Sequence, residues 1–459
     1  MKAIDYFLKL TKIPRPSGKE DKVVLFLVNY AVKNGYHYEI NGSKNVIITK
    51  DNHSDKNIIL QAHTDMVCEK FGGIDIDFDN DPIETIIEGD IIRANGTTLG
   101  ADDGYGVSTI LQILDECGEG YPNIEAIFTS DEEVGMTGAM SLDLSGLKSK
   151  MIIGLDGTSS SEITVSSAGG IRIQFDGELK TNAVNEKGYH LEVSGLLGGH
   201  SGEEINLHRL NANKAIFEFL SLLDDVTLSS FDGGNKDNAI PREAKCVFVS
   251  SDKNITEKFR NFVIEKREEY PLEKDMYMGL SESDVNTLIY KNISDDIINF
   301  ANEFKDGVII WDEVDTTFPI TSINFARVIT NDNKICIRSM LRSSDSEYEK
   351  EYIDHYMNLG KKYNLAPSLM NRSPYFERSK DTSLVDACVK AYNDLGYKDL
   401  EVKGIHAGLE GGVFAEKIKG AQIVCLGADL KEIHTPNERM VISSTEKLSK
   451  WIKQILKNI

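Results

Sequence analysis

Three short apolar runs end in charge, and this limits the fold more than any other feature of the chain. Asn57 to Gln61 leads into His63-Thr64-Asp65, Ile124 to Thr129 into Asp131-Glu132-Glu133, and Lys150 to Leu155 into Asp156-Gly157. Runs of this length and composition predict buried strands. A charge directly after a buried strand must emerge at the edge of the sheet or find a partner, because an unpaired buried charge is costly. Helical stretches separate the runs, so the expectation is an α/β sheet whose polar strand ends lie along one edge.

Other segments fill in that picture. Tyr6 to Ile13 and Lys22 to Asn34 carry helical apolar spacing, with a turn at Pro14-Arg15-Pro16-Ser17-Gly18 and the second helix starting at Ser17 or Gly18. Asn45 to Thr49 reads as a strand, Asp51 to Lys56 as a hairpin or loop, and Gly106 to Cys117 as a helix. After Thr164 the texture changes. Strands are predicted at Gly169 to Phe175, Lys187 to Val193, Ala244 to Ser250, Ser322 to Thr330 and Lys334 to Leu341, with helices at Leu207 to Leu223 and Thr256 to Glu269. Thr382 to Leu395 is again helical, Ile423 to Leu426 a strand, and Glu446 to Leu456 a closing helix. A chain of 459 residues exceeds one ordinary core. The expected organisation is a first domain split between 1–166 and 371–459, around an α+β insertion at 167–370.

Charge and cysteine usage exclude some functions. A formal charge of -22 is the wrong sign for a phosphate backbone, so nucleic acid is not an expected partner. No apolar run is long enough to span a membrane. The six cysteines are scattered without a Cys-x-x-Cys pair, and no apolar stretch precedes Pro14. Both point to a reducing cytoplasm.

The polar strand ends supply metal-ligand chemistry. In an extended segment His63 and Asp65 share a face, so Asp65 can hold one ring nitrogen of His63 while the other binds an ion. Asp102, in Gly100-Ala101-Asp102-Asp103-Gly104, can bridge two cations with its two oxygens, while Asp103 can cap the helix that follows. Glu132 and Glu133 diverge, so one can bind metal while the other moves a proton. We assign Glu133 to metal and Glu132 to general acid/base work, an order that spacing alone leaves open. Asp156 and His434 complete two sets: His63, Asp102 and Asp156 for one ion, and Asp102, Glu133 and His434 for the other. Imidazole with carboxylate favours two zinc ions per chain, with cobalt or manganese as substitutes. Taken singly, each string reads as well as a turn, a cap or a solvated acidic face.

In combination the strings resemble the dinuclear-zinc metallopeptidases that include aminoacylases, carboxypeptidases and tripeptidases, and within them the dipeptidases of Xaa-His substrates. The matching stretches are Gln61-Ala62-His63-Thr64-Asp65-Met66-Val67, Thr98-Leu99-Gly100-Ala101-Asp102-Asp103-Gly104, Asp131-Glu132-Glu133-Val134-Gly135-Met136, Gly198-Gly199-His200-Ser201-Gly202, His406-Ala407-Gly408-Leu409-Glu410 and His434-Thr435-Pro436-Asn437-Glu438. The resemblance implies a zinc-aminopeptidase-like mixed central sheet with helices on both faces, interrupted by an α+β lid domain through which a homodimer can form. It implies hydrolysis of a short peptide, Xaa-His first, with Glu132 activating a water, Asp65 orienting His63 and His200 helping to polarise the scissile carbonyl. Arg342 is a candidate for a substrate carboxylate, with Arg338 as its rival. His406, Gly411 and Gly412 are candidates for the substrate terminus, and Glu410 for a positive group or for support of its loop. The stretch Arg372 to Arg378 lacks the Pro-Gly-Trp of some relatives, which leaves a broad dipeptidase, a tripeptidase or an N-acyl amino acid hydrolase open.

Overall fold

The computed structural model describes residues 1–313, 315–331 and 333–459. The chain forms two compact units, one of Met1–Ser167 with Ser373–Ile459 and one of Ala168–Arg372. No helix among the described residues is long and apolar enough to cross a membrane.

The first unit is built on an eight-stranded mixed sheet. Its order is His37–Asn41, Asn45–Lys50, Asn123–Thr129, Asn57–His63, Met151–Gly157, Gln422–Gly427, Glu162–Ser167 and Glu401–Ile405. The four strands from Asn123–Thr129 to Gln422–Gly427 run parallel to their neighbours. Strand alternation explains the layers. Ile58, Leu60 and Ala62 enter a core shared with Ala3–Leu10, Asp21–Asn34, Ala101–Glu116, Ser383–Asp394 and Ile442–Asn458. Ile59 faces the other way, into a core with Ile127, Ile152, Val413 and Phe414. Helices thus cover both faces, as an α/β sheet buried on both sides requires. A separate four-stranded sheet runs in the order Leu430–Lys431, Arg439–Val441, Ile91–Ala94 and Thr85–Glu88.

The second unit is an antiparallel sheet with helices. The strands Pro319–Asn331, Lys334–Ser343 and Gly169–Glu178 lie side by side. One face of these strands sends Ile171, Ile173, Phe175, Ile337 and Leu341 into a core rich in phenylalanine. Phe217 stacks on Phe231 with ring centres 4.5 Å apart, and Phe175 meets Phe300 at 4.9 Å.

Several element ends differ from the sequence expectation. The second helix starts at Asp21 with Glu20 at its N-cap, because Ser17 and Gly18 are spent on other contacts: Ser17 Oγ donates to Asp65 and Gly18 N–H to Glu20. Asp51 to Lys56 is no hairpin, since Asn123–Thr129 lies between the strands it joins. The helix expected from Leu207 starts at Ala212, where the Asn211 side chain accepts from the amides of Asn213 and Lys214. The helix expected from Gly106 is assigned from Ala101, with non-helical backbone at Asp102 and Asp103.

Candidate metal centre

Parallel strands deliver their carboxyl ends to one edge of the sheet. His63 closes Asn57–His63, and in the register it lies beside Thr129, which closes the strand before the acidic triplet. Asp156 sits near the end of the next strand, Met151–Gly157. Ala101–Glu116 begins with Asp102 and Asp103, and His434 stands in the loop between Leu430–Lys431 and Arg439–Val441.

These five segments bring their side chains together. His63 Nε2 lies 3.1 Å from Asp102 Oδ1 and 3.8 Å from Asp156 Oδ1. His434 Nε2 lies 3.0 Å from Asp102 Oδ2 and 3.1 Å from Glu133 Oε1. Asp102 therefore turns one oxygen toward each imidazole. One ligand atom from each of His63, Asp102 and Asp156 fits within 4.8 Å, as does one from each of Asp102, Glu133 and His434, and one from each of His63, Glu132 and Glu133. Two donor sets sharing Asp102 are consistent with a dinuclear metal site, and imidazole with carboxylate suits borderline divalent ions.

Burial and charge set the protonation of these groups. Burial drives Asp156 well above the usual carboxylate range, with the Asp102 charge adding to it. Burial opposes ionisation of Asp102 as well, but its hydrogen bonds to His434 and His63 prevail and hold it low. Hydrogen bonds to Asp102 and Glu133 lift His434 to about 10. Glu132 is pushed up to about 8, first by burial and then by the charges of Glu410, Glu133 and Asp102, against the pull of His63. A carboxylate raised toward neutrality is suited to accept and return a proton.

Side chains that are not candidate ligands hold the segments in place. Asp65 is fully buried. It lies 3.4 Å from His63 Nδ1 and accepts from Ser17 Oγ (2.8 Å), the Glu132 amide (3.0 Å) and the Glu133 amide (3.2 Å). Burial would raise Asp65, but the His63 contact and these bonds bring it down to about 2. Glu20, also fully buried, accepts from the Asp131 amide at 3.1 Å. Asp103 accepts from the His63 amide (3.2 Å) and from the Gly106 amide (3.1 Å), so it caps the helix and ties it to the strand end. Arg15, buried at 2% exposure, donates to the carbonyls of Thr64, Asp65 and Gly100. Sequence reasoning left Arg15, Glu20 and Glu438 without a role. Arg15 stands between two prolines, which reads as a surface turn. The only signal for Glu438 is its place in the same short string as His434.

The remaining candidates fall into two groups. His406 follows the strand Glu401–Ile405 and is 4% exposed. Glu410 is 2% exposed, and its Oε2 accepts from Gln61 Nε2 and Thr129 Oγ1, both at 2.6 Å. Burial raises it to about 7. Gly411 opens a short helix, Gly411–Lys417, and a Cβ there would lie 2.8 Å from the Phe376 ring. His200 and Arg342 belong to the second unit, where Arg342 Nη2 lies 3.4 Å from His200 Nε2. The rival Arg338 donates to Gln174 at 2.9 Å and lies 3.7 Å from Asp237, which also pairs with Arg172.

Comparison with known proteins agrees with this donor set. The model of peptidase family M20/M25/M40 matches residues 59–458. The cytosol non-specific dipeptidase of Escherichia coli strain K12 is 32% identical over 473 residues, covering 99% of this chain and 97% of its own. A crystal structure of aminoacylhistidine dipeptidase from Vibrio alginolyticus superposes with a TM-score of 0.90 at 28% identity, covering 100% of this chain and 96% of the other. Aminopeptidase PepT from Bacillus cereus ATCC 10987 shares the fold, with a TM-score of 0.59 at 15% identity over 100% of this chain and 98% of its own. A match through almost the whole length, together with imidazoles and carboxylates gathered for two ions, makes this chain a metal-dependent hydrolase belonging to peptidase family M20/M25/M40.

Proposed function

We propose that the protein hydrolyses the peptide bond of dipeptides, Xaa-His among them, using two zinc ions. The carrying observation is Asp102, whose two oxygens lie 3.1 Å and 3.0 Å from two different imidazoles. A carboxylate so placed can be shared by two cations, and in this reading His63 and Asp156 complete one ligand set and Glu133 and His434 the other. Bound ions would supply Lewis acidity, polarising the scissile carbonyl and acidifying water. Glu132 takes the proton of the attacking water and returns it to the leaving amine, a role its raised proton affinity supports. Asp65 keeps the His63 ring oriented and holds the backbone of Glu132 through the same carboxylate. His200 polarises the carbonyl and Arg342 pairs with the substrate carboxylate. His406 and Gly411 serve the substrate terminus, and Glu410 braces the strand ends through Gln61 and Thr129. The dipeptidases named above support the substrate class.

The reading includes a cytoplasmic enzyme, supported by six free cysteines, four of them buried. It also includes a homodimer through the second unit, which sedentary mass measurement by light scattering would check. The deciding experiment is metal-dependent hydrolysis of a panel of Xaa-His dipeptides, other dipeptides, tripeptides and N-acyl amino acids. Preferential cleavage of dipeptides is expected. Exclusive cleavage of N-acyl amino acids or of tripeptides would replace the substrate assignment. Glu132→Gln is expected to keep both ions and to lose about 10²–10⁴-fold in turnover, and undiminished turnover would remove Glu132 from its role.

A further inference from the structure

The string His434-Thr435-Pro436-Asn437-Glu438 contains a second buried group that the proposed reaction does not use. Glu438 is 2% exposed. Its Oε2 accepts from the amides of Leu99 (2.7 Å) and Gly100 (3.0 Å), and its Oε1 from those of Ala101 (2.8 Å) and Asp102 (3.2 Å). Consecutive amides at the start of Ala101–Glu116 thus converge on a carboxylate from near the other end of the chain. A helix leaves such amides without internal partners, and their aligned dipoles favour an anion.

Helices usually satisfy this end locally, with Ser, Thr, Asp or Asn at the N-cap. Here the N-cap is Gly100, at φ +68° and without a side chain to accept these bonds. Local capping is blocked, because a Cβ on Gly100 would lie 2.6 Å from Arg15 Nη2. The cap therefore comes from a distant segment. A distant cap does something a local one cannot: it fixes the spacing between two parts of the chain.

The distant segment is the loop that carries His434. Lys431 pairs with Arg439 across its base, and His434 stands in it at φ +61°. The Glu438 amide donates to the Thr435 carbonyl at 3.1 Å and the Asn437 amide to Thr435 Oγ1 at 3.2 Å, so a tight turn joins Glu438 to His434 with little slack. At its other end the Glu438 carboxylate grips the amide of Asp102 itself. One side chain spans from the backbone of the shared carboxylate to the turn bearing the imidazole that faces it. We infer that Glu438 is a positioning residue that sets His434 against Asp102 and so shapes the ion position of Asp102, Glu133 and His434. The inference rests on the dinuclear reading above. Glutamine has the same shape but would turn an N–H₂ group toward amide donors, leaving them buried and unpaired.

The test titrates metal-free wild type, Glu438→Gln and Glu438→Asp with cobalt(II) alone, reading stepwise affinities by visible absorption. Thermal unfolding and hydrogen exchange at Leu99 to Asp102 are measured on the same metal-free proteins. Glu438→Gln is expected to lose about 10–100-fold in affinity for one ion while the other changes less than about threefold. Glu438→Asp keeps the charge and is expected to recover part of that loss. Unchanged affinity for both ions overturns the inference, and so does equal weakening of both with a lowered melting temperature, which marks a general structural role. If Glu438→Gln does not fold, Glu438→Asp carries the same comparison against wild type. If wild type binds a single ion, the dinuclear reading fails, and amide exchange decides the role of Glu438 separately. Exchange at Leu99 to Asp102 faster by about tenfold or more in the variant supports the clamp, and unchanged exchange rejects it.

Discussion

The two units place their polar residues by opposite means. In the first, parallel strands end together, and residues far apart in sequence meet at one edge of the sheet. In the second, antiparallel strands set them out on a face: Arg172, Arg338 and Arg342 alternate with Ile171, Ile173, Ile337 and Leu341 of the core. The edge is held by backbone. Asp65, Asp103 and Glu438 each grip amides of ligand-bearing segments, so the candidate ligands are fixed through their main chain. The face is held by side-chain pairing, as in Arg338 with Gln174 and Asp237. Edges therefore suit a rigid multi-ligand centre, and faces suit recognition of a group by one or two long side chains.

The largest effect should come from the shared ligand. Asp102→Ala is expected to abolish binding of both ions and to reduce turnover by about 10⁴-fold or more. Metal content after dialysis checks it, and a variant that keeps two ions would break the contrast drawn here. Next comes the core of the second unit. Phe300 is fully buried, and Phe300→Ala is expected to cost about 3–5 kcal/mol in denaturant unfolding. The metal content of the folded variant should stay at the wild-type level, and its loss would show that the ion site depends on that core. A smaller effect is expected from Arg342→Lys, which keeps the charge but loses the planar fork. KM for peptides with a free carboxylate should rise by about tenfold with kcat nearly unchanged. A fall in kcat alone would argue against carboxylate binding.

The smallest effect is a pH dependence. His434 is lifted to about 10 by its hydrogen bonds to Asp102 and Glu133. An ion taken up at that position must expel its proton, so cobalt affinity should rise with pH between 6 and 8, by up to about tenfold per unit. The sign reverses for metal-free stability. A raised histidine stabilises the fold fully below its unfolded value near 6.5, and that contribution fades as pH climbs through about 10. Metal affinity flat from pH 6 to 8 would mean that His434 carries no proton there.

Sequence made the fold legible wherever periodicity was strong. Asn57–His63, Asn123–Thr129 and Met151–Gly157 are fixed by their apolar runs, and their polar ends marked the site. The long strand Tyr277–Ile289 was not legible, because Gly279, Ser281, Glu282, Ser283 and Asp284 give it no apolar alternation and it lies at a sheet edge, where burial does not select composition. Ser346–Lys362 was legible in principle: Asp345 caps it, and Tyr352, Tyr356 and Leu359 follow helical spacing. In the candidate site, residues that bear chemistry were found because imidazoles and carboxylates are scarce at strand ends. Arg15, Glu20 and Glu438 escaped because they act on backbone groups, and no local pattern records which amide a distant side chain will meet.

The strand Gln422–Gly427 lies inside the first unit's sheet, with Met151–Gly157 on one side and Glu162–Ser167 on the other. A ribosome releases it only after everything that precedes it. Until then the nascent sheet has a gap at its middle, with unpaired strand edges facing it, while the contiguous span Ala168–Arg372 is already complete. The consequence is an order of maturation, the later-encoded unit before the earlier one. Pulse proteolysis of chains stalled near residue 400 would detect it as a protected fragment from the second unit alone, and equal protection of both would refute it.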